Sequence, residues 1–320
     1  MSACATAPGA ARRPASYSVL YLVASGLLWG TGGLTGSLLG REAGLPALSV
    51  AAYRLAVGGV LIVAFLLVTR KRLPSGRAAW TRITVIGLLA ACFQACYFTA
   101  VSLTSVSLAT LVTIGSAPVI VQVVTWSGRA AEISATCLAL AGLGLLVGLP
   151  SGRFSETAVL ASAAMAVLAA AGFATMTLVG NRPVPGLDDL TVTGFAFALG
   201  GCVLMAIAFA VGGAGSLGFA PRPASVGLLV ALGTGPTAVA YTSYFRGLRN
   251  SAASTAALLS LIEPLTGTIL AVLLLGNRLS PAGIVGAGTL ATAVLLTVIV
   301  DRSGQISPRS IHDQAERSST

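Results

Sequence analysis

Charge is what this sequence has least of: Asp, Glu, Lys and Arg make up 9% of its 320 residues. A soluble globular domain carries roughly 25%, so an ordinary soluble fold is excluded. Histidine occurs once, as His312 close to the C-terminus, which rules out a histidine proton relay or histidine metal site within the apolar body. No G-x-x-x-x-G-K-[ST] loop is present, so energy for any work must come from a gradient or a partner rather than from bound nucleotide. The five cysteines, Cys4, Cys92, Cys96, Cys137 and Cys202, form no metal or redox motif. Cys92 and Cys96 share a helix face at i,i+4, where buried thiols behave as small apolar residues. No metal and no cofactor is expected.

What is abundant is uncharged length. Residues 14–40, 83–128, 157–181, 190–221 and 279–300 contain no ionisable Asp, Glu, Lys or Arg, and a helix needs about 20 apolar residues to cross a bilayer. The run 83–128 holds two crossings, divided by the polar patch SLTSVS at 102–107. Mean hydropathy is +0.91. These features describe a polytopic membrane protein with the lipid bilayer as its partner. Gly, Ala, Ser and Thr crowd the spans. Either close helix packing or a high-GC genome accounts for that, the latter in keeping with 18 Arg against one Lys, Lys71.

Spans are expected near 17–39, 46–69, 80–101, 104–126, 133–150, 156–180, 188–212, 224–248, 251–274 and 281–300. No small-residue cleavage site follows a short apolar region, so the first span is read as uncleaved. With the N-terminus inside, 14 Lys and Arg fall on the inner side and 4 outside, with Arg54 inside a span. This split places both termini in the cytoplasm of a cell expressing the chain in its plasma membrane. The net charge of +10 is dispersed through loops, with one cluster at RKRLPSGR (70–77), so it marks topology and not nucleic-acid binding.

The two halves echo each other. YFTAVSLTSVSLATLVTIGSAPV starts at Tyr97 and YFRGLRNSAASTAALLSLIEPL at Tyr244. With one gap, Pro118 matches Pro264, Ser116 matches Ile262, and Ala117 stands where Glu263 does. EISATCLALAGLGLLVG (132–148) parallels RLSPAGIVGAGTLATAV (278–294), and Trp29 in LLWGT corresponds to Phe173 in AGFAT. Five spans per half is an odd number, so the second half enters from the opposite face and the repeats are inverted. Such repeats, with interrupted helices around a midplane site, build secondary transporters. The expected fold class is therefore an all-α polytopic membrane protein of ten transmembrane helices in two inverted five-helix repeats. The first repeat covers 17–150 and the second 156–300, followed by a disordered cytoplasmic tail, 301–320.

LLWGT, AYRLAVGGVLI (52–62) and the long segment from Tyr244 through Gly286 resemble the drug/metabolite transporter superfamily, specifically its EamA-type members. The resemblance runs over about residues 17–300 and is strongest at 244–286. It implies a ten-helix exporter of metabolites, amino acids or drugs. Asn277 departs from it, standing where a Glu is common in a Gly-Glu-Arg-Leu turn, which implies a lost loop contact.

Chemistry concentrates at LIEPL. Glu263 lies 12 residues into the ninth span, about 18 Å at 1.5 Å per residue, near the middle of a core about 30 Å thick. An ionisable group at that depth faces a cavity or a partner. Pro264 cannot donate to the Ser260 carbonyl and crowds it, so a freed carbonyl is expected one turn from the carboxylate. Pro118 acts likewise on Ile114, giving two helix breaks that border one site. Arg54 enters from the other side to the same depth. Glu263 therefore has two readings: a binding or coupling group, with protons as coupling ion, or the partner of Arg54 in a structural ion pair. Ser260, Ser116, Thr113, Gln94, Tyr97, Tyr241 and Tyr244 lie at suitable depth to bind a small-molecule substrate or to join helices. Trp29 and Phe173 are placed to wall the cavity or simply to pack. An enzyme would need a nucleophile–base pair or a metal cluster, and a channel a charged ring or carbonyl filter. Neither pattern is written here.

Overall fold

The structure, a computed structural model, describes residues 16–306 except 72, 126–129, 149–153, 183 and 277. Asn277 lies outside the described residues. Twelve α-helices follow in order: α1 (Ser16–Ala43), α2 (Ala47–Val68), α3 (Arg77–Leu103), α4 (Val106–Thr125), α5 (Ala130–Val147), α6 (Glu156–Gly180), α7 (Asp189–Gly212), α8 (Pro223–Gly233), α9 (Ala240–Leu248), α10 (Ala253–Leu259), α11 (Ile262–Leu275) and α12 (Pro281–Ile306). The pairs α8–α9 and α10–α11 are each one interrupted span, so the described residues give ten helices long and apolar enough to cross a membrane. α12 continues to Ile306, so residues 301–306, expected in the tail, are helical. Residues 307–320 lie outside the described residues.

Local chemistry sets the ends. Ser155 caps α6 by accepting from the Ala158 N–H, and Asp188 caps α7 by accepting from Thr191 at 2.8 Å. Each occupies the position where a short polar side chain replaces the missing intrahelical acceptor. α11 stops at Gly276, whose left-handed φ of 68° closes the helix.

Packing repeats between the halves. α6 of the second half lies against α3 and α4 of the first, and α1 of the first lies likewise against α9 and α11 of the second, so matching contacts cross between the halves. Repeat-related helices also meet directly, α2 with α7 and α5 with α12. These contacts are close enough to decide between the two explanations of the small residues. A Cβ added at Gly59 would lie 2.1 Å from the Ala198 nitrogen, and one at Gly201 would lie 2.4 Å from the Ala56 nitrogen. Backbones that near can meet only through residues without side chains. Whatever the genome favours, these positions need glycine.

Candidate functional site

The ninth span breaks as its sequence suggests, but not with the expected free carbonyl. α10 ends at Leu259, Ser260 and Leu261 form a tight turn, and α11 begins at Ile262. Pro264 has no N–H to offer Ser260. The Glu263 N–H donates to the Ser260 carbonyl instead, at 3.0 Å, and Leu261 donates to Leu258 at 3.1 Å. The carbonyl is satisfied within the turn. The break's consequence is to put Glu263 in the first turn of α11.

Pro118 does not break α4, which is helical from Val106 through Thr125. The ring is accommodated inside a continuous helix, as happens when neighbouring helices hold the local geometry. α4 packs on α10, the first half of the ninth span. A different interruption went unread: Thr234–Val239 in the eighth span is π-helical and contains Pro236. Pro236 leaves the Leu232 carbonyl without its usual donor, and the Thr237 hydroxyl donates to that carbonyl at 2.8 Å.

Between the repeats lies a cavity of about 790 Å³. It is bordered by the later turns of α1, the first turns of α2, the ends of α3 and α5, the start of α4, and α11. It therefore reaches the face formed by the α1–α2, α3–α4 and α5–α6 turns, the arginine-poor face of the sequence. Its inner end is aromatic. Trp29 meets Phe173 with centroids 5.9 Å apart, Tyr241 at 4.8 Å and Tyr244 at 4.9 Å, while Phe93 lies 5.6 Å from Phe173. Trp29 and Phe173, matched in the alignment of the two halves, touch edge to face. Their rings pack against each other and line the cavity as well.

Glu263 and Arg54 both line this cavity, and they are the charged side chains on its wall. Each acts electrostatically on the other and on Tyr241 and Tyr97. The structural ion pair is nevertheless not made: among the described residues, the contacts within 4.0 Å join Arg222 to Glu42 and Arg249 to Asp189. The buried Nε of Arg54 has no hydrogen-bond partner, nor has the indole Nε1 of Trp29. α1 brings Glu263 to this place, because Gly30 lets α1 lie directly on α11. A Cβ there would sit 2.4 Å from Thr266 and 2.9 Å from the Glu263 carbonyl.

Of the other expected residues, Gln94, Tyr97, Thr113, Tyr241, Ser260 and Pro264 line the cavity. Tyr97 is held by a 2.8 Å hydrogen bond with Thr110, and the Ser260 hydroxyl donates to the Ala257 carbonyl. Three do not line it. Ser116 falls off the cavity stripe of α4, which runs through Thr110, Thr113, Ile114 and Ala117 at helical spacing. Pro118 is buried among helices. Tyr244 is fully buried beneath the aromatic floor, sharing a 2.7 Å hydrogen bond with Thr177. Phe93 on α3 and Thr110 on α4 line the cavity as well and were missed, although Tyr97 and Thr113 lie one turn away on the same helices. Cys92 and Cys96 lie with sulfurs 3.9 Å apart and outside the cavity wall.

Beyond the floor, the arginine-rich face is tied shut by polar contacts. Asn181 donates to the carbonyls of Leu248 and Ser251 at 2.7 and 2.9 Å. Arg82 donates to the carbonyls of Arg182 and Gly180, and Arg249 pairs with Asp189 at 2.7 Å while reaching the Leu187 carbonyl.

A two-repeat helical bundle around one such cavity has known relatives. A crystal structure of a protein 22% identical in sequence superposes with a TM-score of 0.74, covering 88% of this chain and 98% of that one, and so shares the fold. An uncharacterized transporter of Bacillus subtilis (strain 168), YwfM, is 31% identical over 286 residues, 88% of this chain and 93% of its own length. The profile of the EamA-like transporter family matches twice, over residues 16–148 and 160–299, once for each half of the bundle. This chain is therefore a multi-pass membrane protein and belongs to the EamA-like transporter family.

Proposed function

We propose that the chain is a secondary transporter, an exporter, that moves a small metabolite, amino acid or drug across the plasma membrane by alternating access of its two inverted repeats. Residues 17–150 and 156–300 are the two repeats, and both termini lie in the cytoplasm, on the arginine-rich side. The observation that carries this reading is a central cavity that reaches one face while aromatic packing and polar ties close the other. A transporter needs that one-sided access, and a second arrangement with the access reversed follows from the pseudo-symmetry. A floor of interlocked rings argues against a continuous pore. Glu263, the acid on the cavity wall, is the group through which protons would couple to flux.

Purified protein in liposomes carrying a pH gradient tests this. Gradient-driven movement of a metabolite panel is expected from the wild type, with loss of that flux in Glu263→Gln at normal folding. Absence of flux for every compound under every imposed gradient rejects the transporter reading. Undiminished pH-driven flux in the variant rejects coupling through Glu263.

A further inference from the structure

Away from the cavity, the start of α1 meets the end of α9 on the outside of the bundle. The two helices touch closely there: a Cβ at Gly247 would lie 2.7 Å from Leu22 Cγ and 2.9 Å from the Ser18 carbonyl. At this crossing the Arg246 guanidinium lies over the Tyr21 ring, 5.5 Å from its centroid. Arg246 is exposed, and among the described residues no carboxylate forms an ion pair with it. The carboxylates nearby are already committed. Asp189 pairs with Arg249, and Asp188 spends both oxygens on Thr191. Asp189 feels Arg246 as well as Arg249, and Arg82 feels both Asp189 and Arg249. Three guanidinium groups and two committed carboxylates thus share one field, with positive charge in excess. Toward the middle of the bilayer the same two spans turn apolar side chains outward. Leu20 and Leu27 on α1 are 62% and 49% exposed, and Val239, just before α9, is 48% exposed. Leu20 and Leu27 are seven residues apart, as are Val239 and Arg246, so each pair shares a helix face.

We propose that this furrow between α1 and α9 holds an anionic phospholipid from the leaflet on the arginine-rich side. Its phosphate sits on Arg246 and an acyl chain runs along Leu20, Leu27 and Val239. The site is separate from the cavity and does not depend on what the cavity carries. A guanidinium grips a phosphate with two parallel N–H bonds, and the Tyr21 ring holds the Arg246 plane from behind. An arginine that only snorkels extends its head into water, whereas this one is held back on a ring at the edge of an apolar furrow. Basic pockets between transmembrane helices take anionic headgroups in this way. Phosphatidylcholine carries its own ammonium beside the phosphate and so answers the excess positive charge less well. α1 and α9 also bring Trp29, Tyr241 and Tyr244 to the aromatic floor, so a lipid lying across both helices braces the closed side.

The test uses the full chain in detergent micelles, with phosphatidylglycerol or phosphatidylcholine of identical acyl chains added. Retention is read by native mass spectrometry and stability by melting temperature. Phosphatidylglycerol is expected to be held about fivefold more tightly than phosphatidylcholine, the effect of one arginine at an anionic surface. It should also raise the melting temperature by about 2–4 °C more. Arg246→Gln should bring phosphatidylglycerol down to the level of phosphatidylcholine, and Arg246→Lys should keep part of the preference. Arg77→Gln, exposed at the start of α3 on the same face, should leave the preference intact. Phosphatidylcholine retention, equal in all variants, separates lost recognition from lost folding. On the unsubstituted chain, phosphatidylglycerol with a diazirine in its acyl chain should label α1 and α9 above the other helices. Inorganic phosphate at millimolar concentration, which lacks the chains, should shift nothing. Equal retention of the two lipids, a loss in Arg77→Gln as large as in Arg246→Gln, labelling spread evenly over the bundle, or a shift with inorganic phosphate alone overturns the proposal.

Discussion

Pro118 and Pro264 match when the two halves of the sequence are aligned, yet α4 runs through the first while the ninth span breaks before the second. The eighth span differs in the same direction: it carries a π-helical turn around Pro236, whereas α3, its counterpart, runs unbroken from Arg77 to Leu103. The helices of the first repeat are uninterrupted. The second supplies both interruptions, and Glu263 follows one of them directly. A proline therefore marks where a helix can yield, but its neighbours decide whether it does. Where a nearby hydroxyl or N–H takes over the orphaned carbonyl, as Thr237 does for Leu232 and Glu263 for Ser260, the interruption is stable. Helix bends in the working cycle should accordingly concentrate in the second repeat.

The largest effect should come from the helix contacts that hold this asymmetric site. α1 lies on α11 through Gly30, and the repeat-related position where α6 lies on α4 is Ala174, already buried with its methyl group. Gly30→Ala is expected to cost about 1–3 kcal/mol through overpacking and to weaken ligand binding by pushing α11 and Glu263 away. Ala174→Gly should cost about 1 kcal/mol and leave binding nearly unchanged. Melting curves of both proteins in micelles check this. Equal losses would mean that the two halves pack alike and that the contrast between them is superficial.

A smaller effect should follow at the π-helical turn. Thr237→Val strips the Leu232 carbonyl of its donor and is expected to cost about 1–2 kcal/mol. Pro236→Ala restores a backbone N–H at that place, and in its background Thr237→Val should cost about 1 kcal/mol less. A double-mutant cycle measures that coupling. Additive losses would show that the hydroxyl does not stand in for the proline's missing N–H.

Much of this architecture was legible beforehand, and the parts that were not share a physical cause. Uncharged runs and the arginine distribution suffice for ten spans, because a bilayer leaves few alternatives to an apolar helix. Glu263 and Arg54 could be placed at one depth by counting residues, and both reach the cavity. Whether they touched could not be counted, since lateral distance depends on packing. Ser116 failed for a related reason. Depth along a helix is a matter of rise, but the facing side is a matter of rotation, and one residue turns the helix by about 100°. Tyr244 was found at the right depth and proved to belong to the closed side, hydrogen-bonded to Thr177. The turn at Pro236 was overlooked because its sign, a threonine next to a proline, is common and gains meaning only when the orphaned carbonyl is identified.

The smallest effect compares the two faces of the bundle. The closed, arginine-rich face holds Arg249 to Asp189 at 2.7 Å, with side-chain exposures of 36% and 15%. On the face the cavity reaches, Arg222 and Glu42 stand 4.0 Å apart, exposed by 70% and 38%. Exposed pairs contribute about 0–1 kcal/mol, and the better shielded pair should sit at the upper end of that range. If the Arg249–Asp189 tie exists only while its face is closed, Asp189→Asn should raise the population open to that face by about two- to fivefold. Glu42→Gln should change nothing measurable. Ala256, fully buried on α10 beneath the aromatic floor, offers a reporter: in a cysteine-free background, Ala256→Cys should react with a small maleimide about two- to fivefold faster when Asp189→Asn is added. At 1 M salt, where the Debye length falls to about 3 Å, the unsubstituted background should move part of the way toward that rate. Equal acceleration by Glu42→Gln, or none from Asp189→Asn, would show that the tie does not guard the closed face and that the aromatic packing alone keeps it shut.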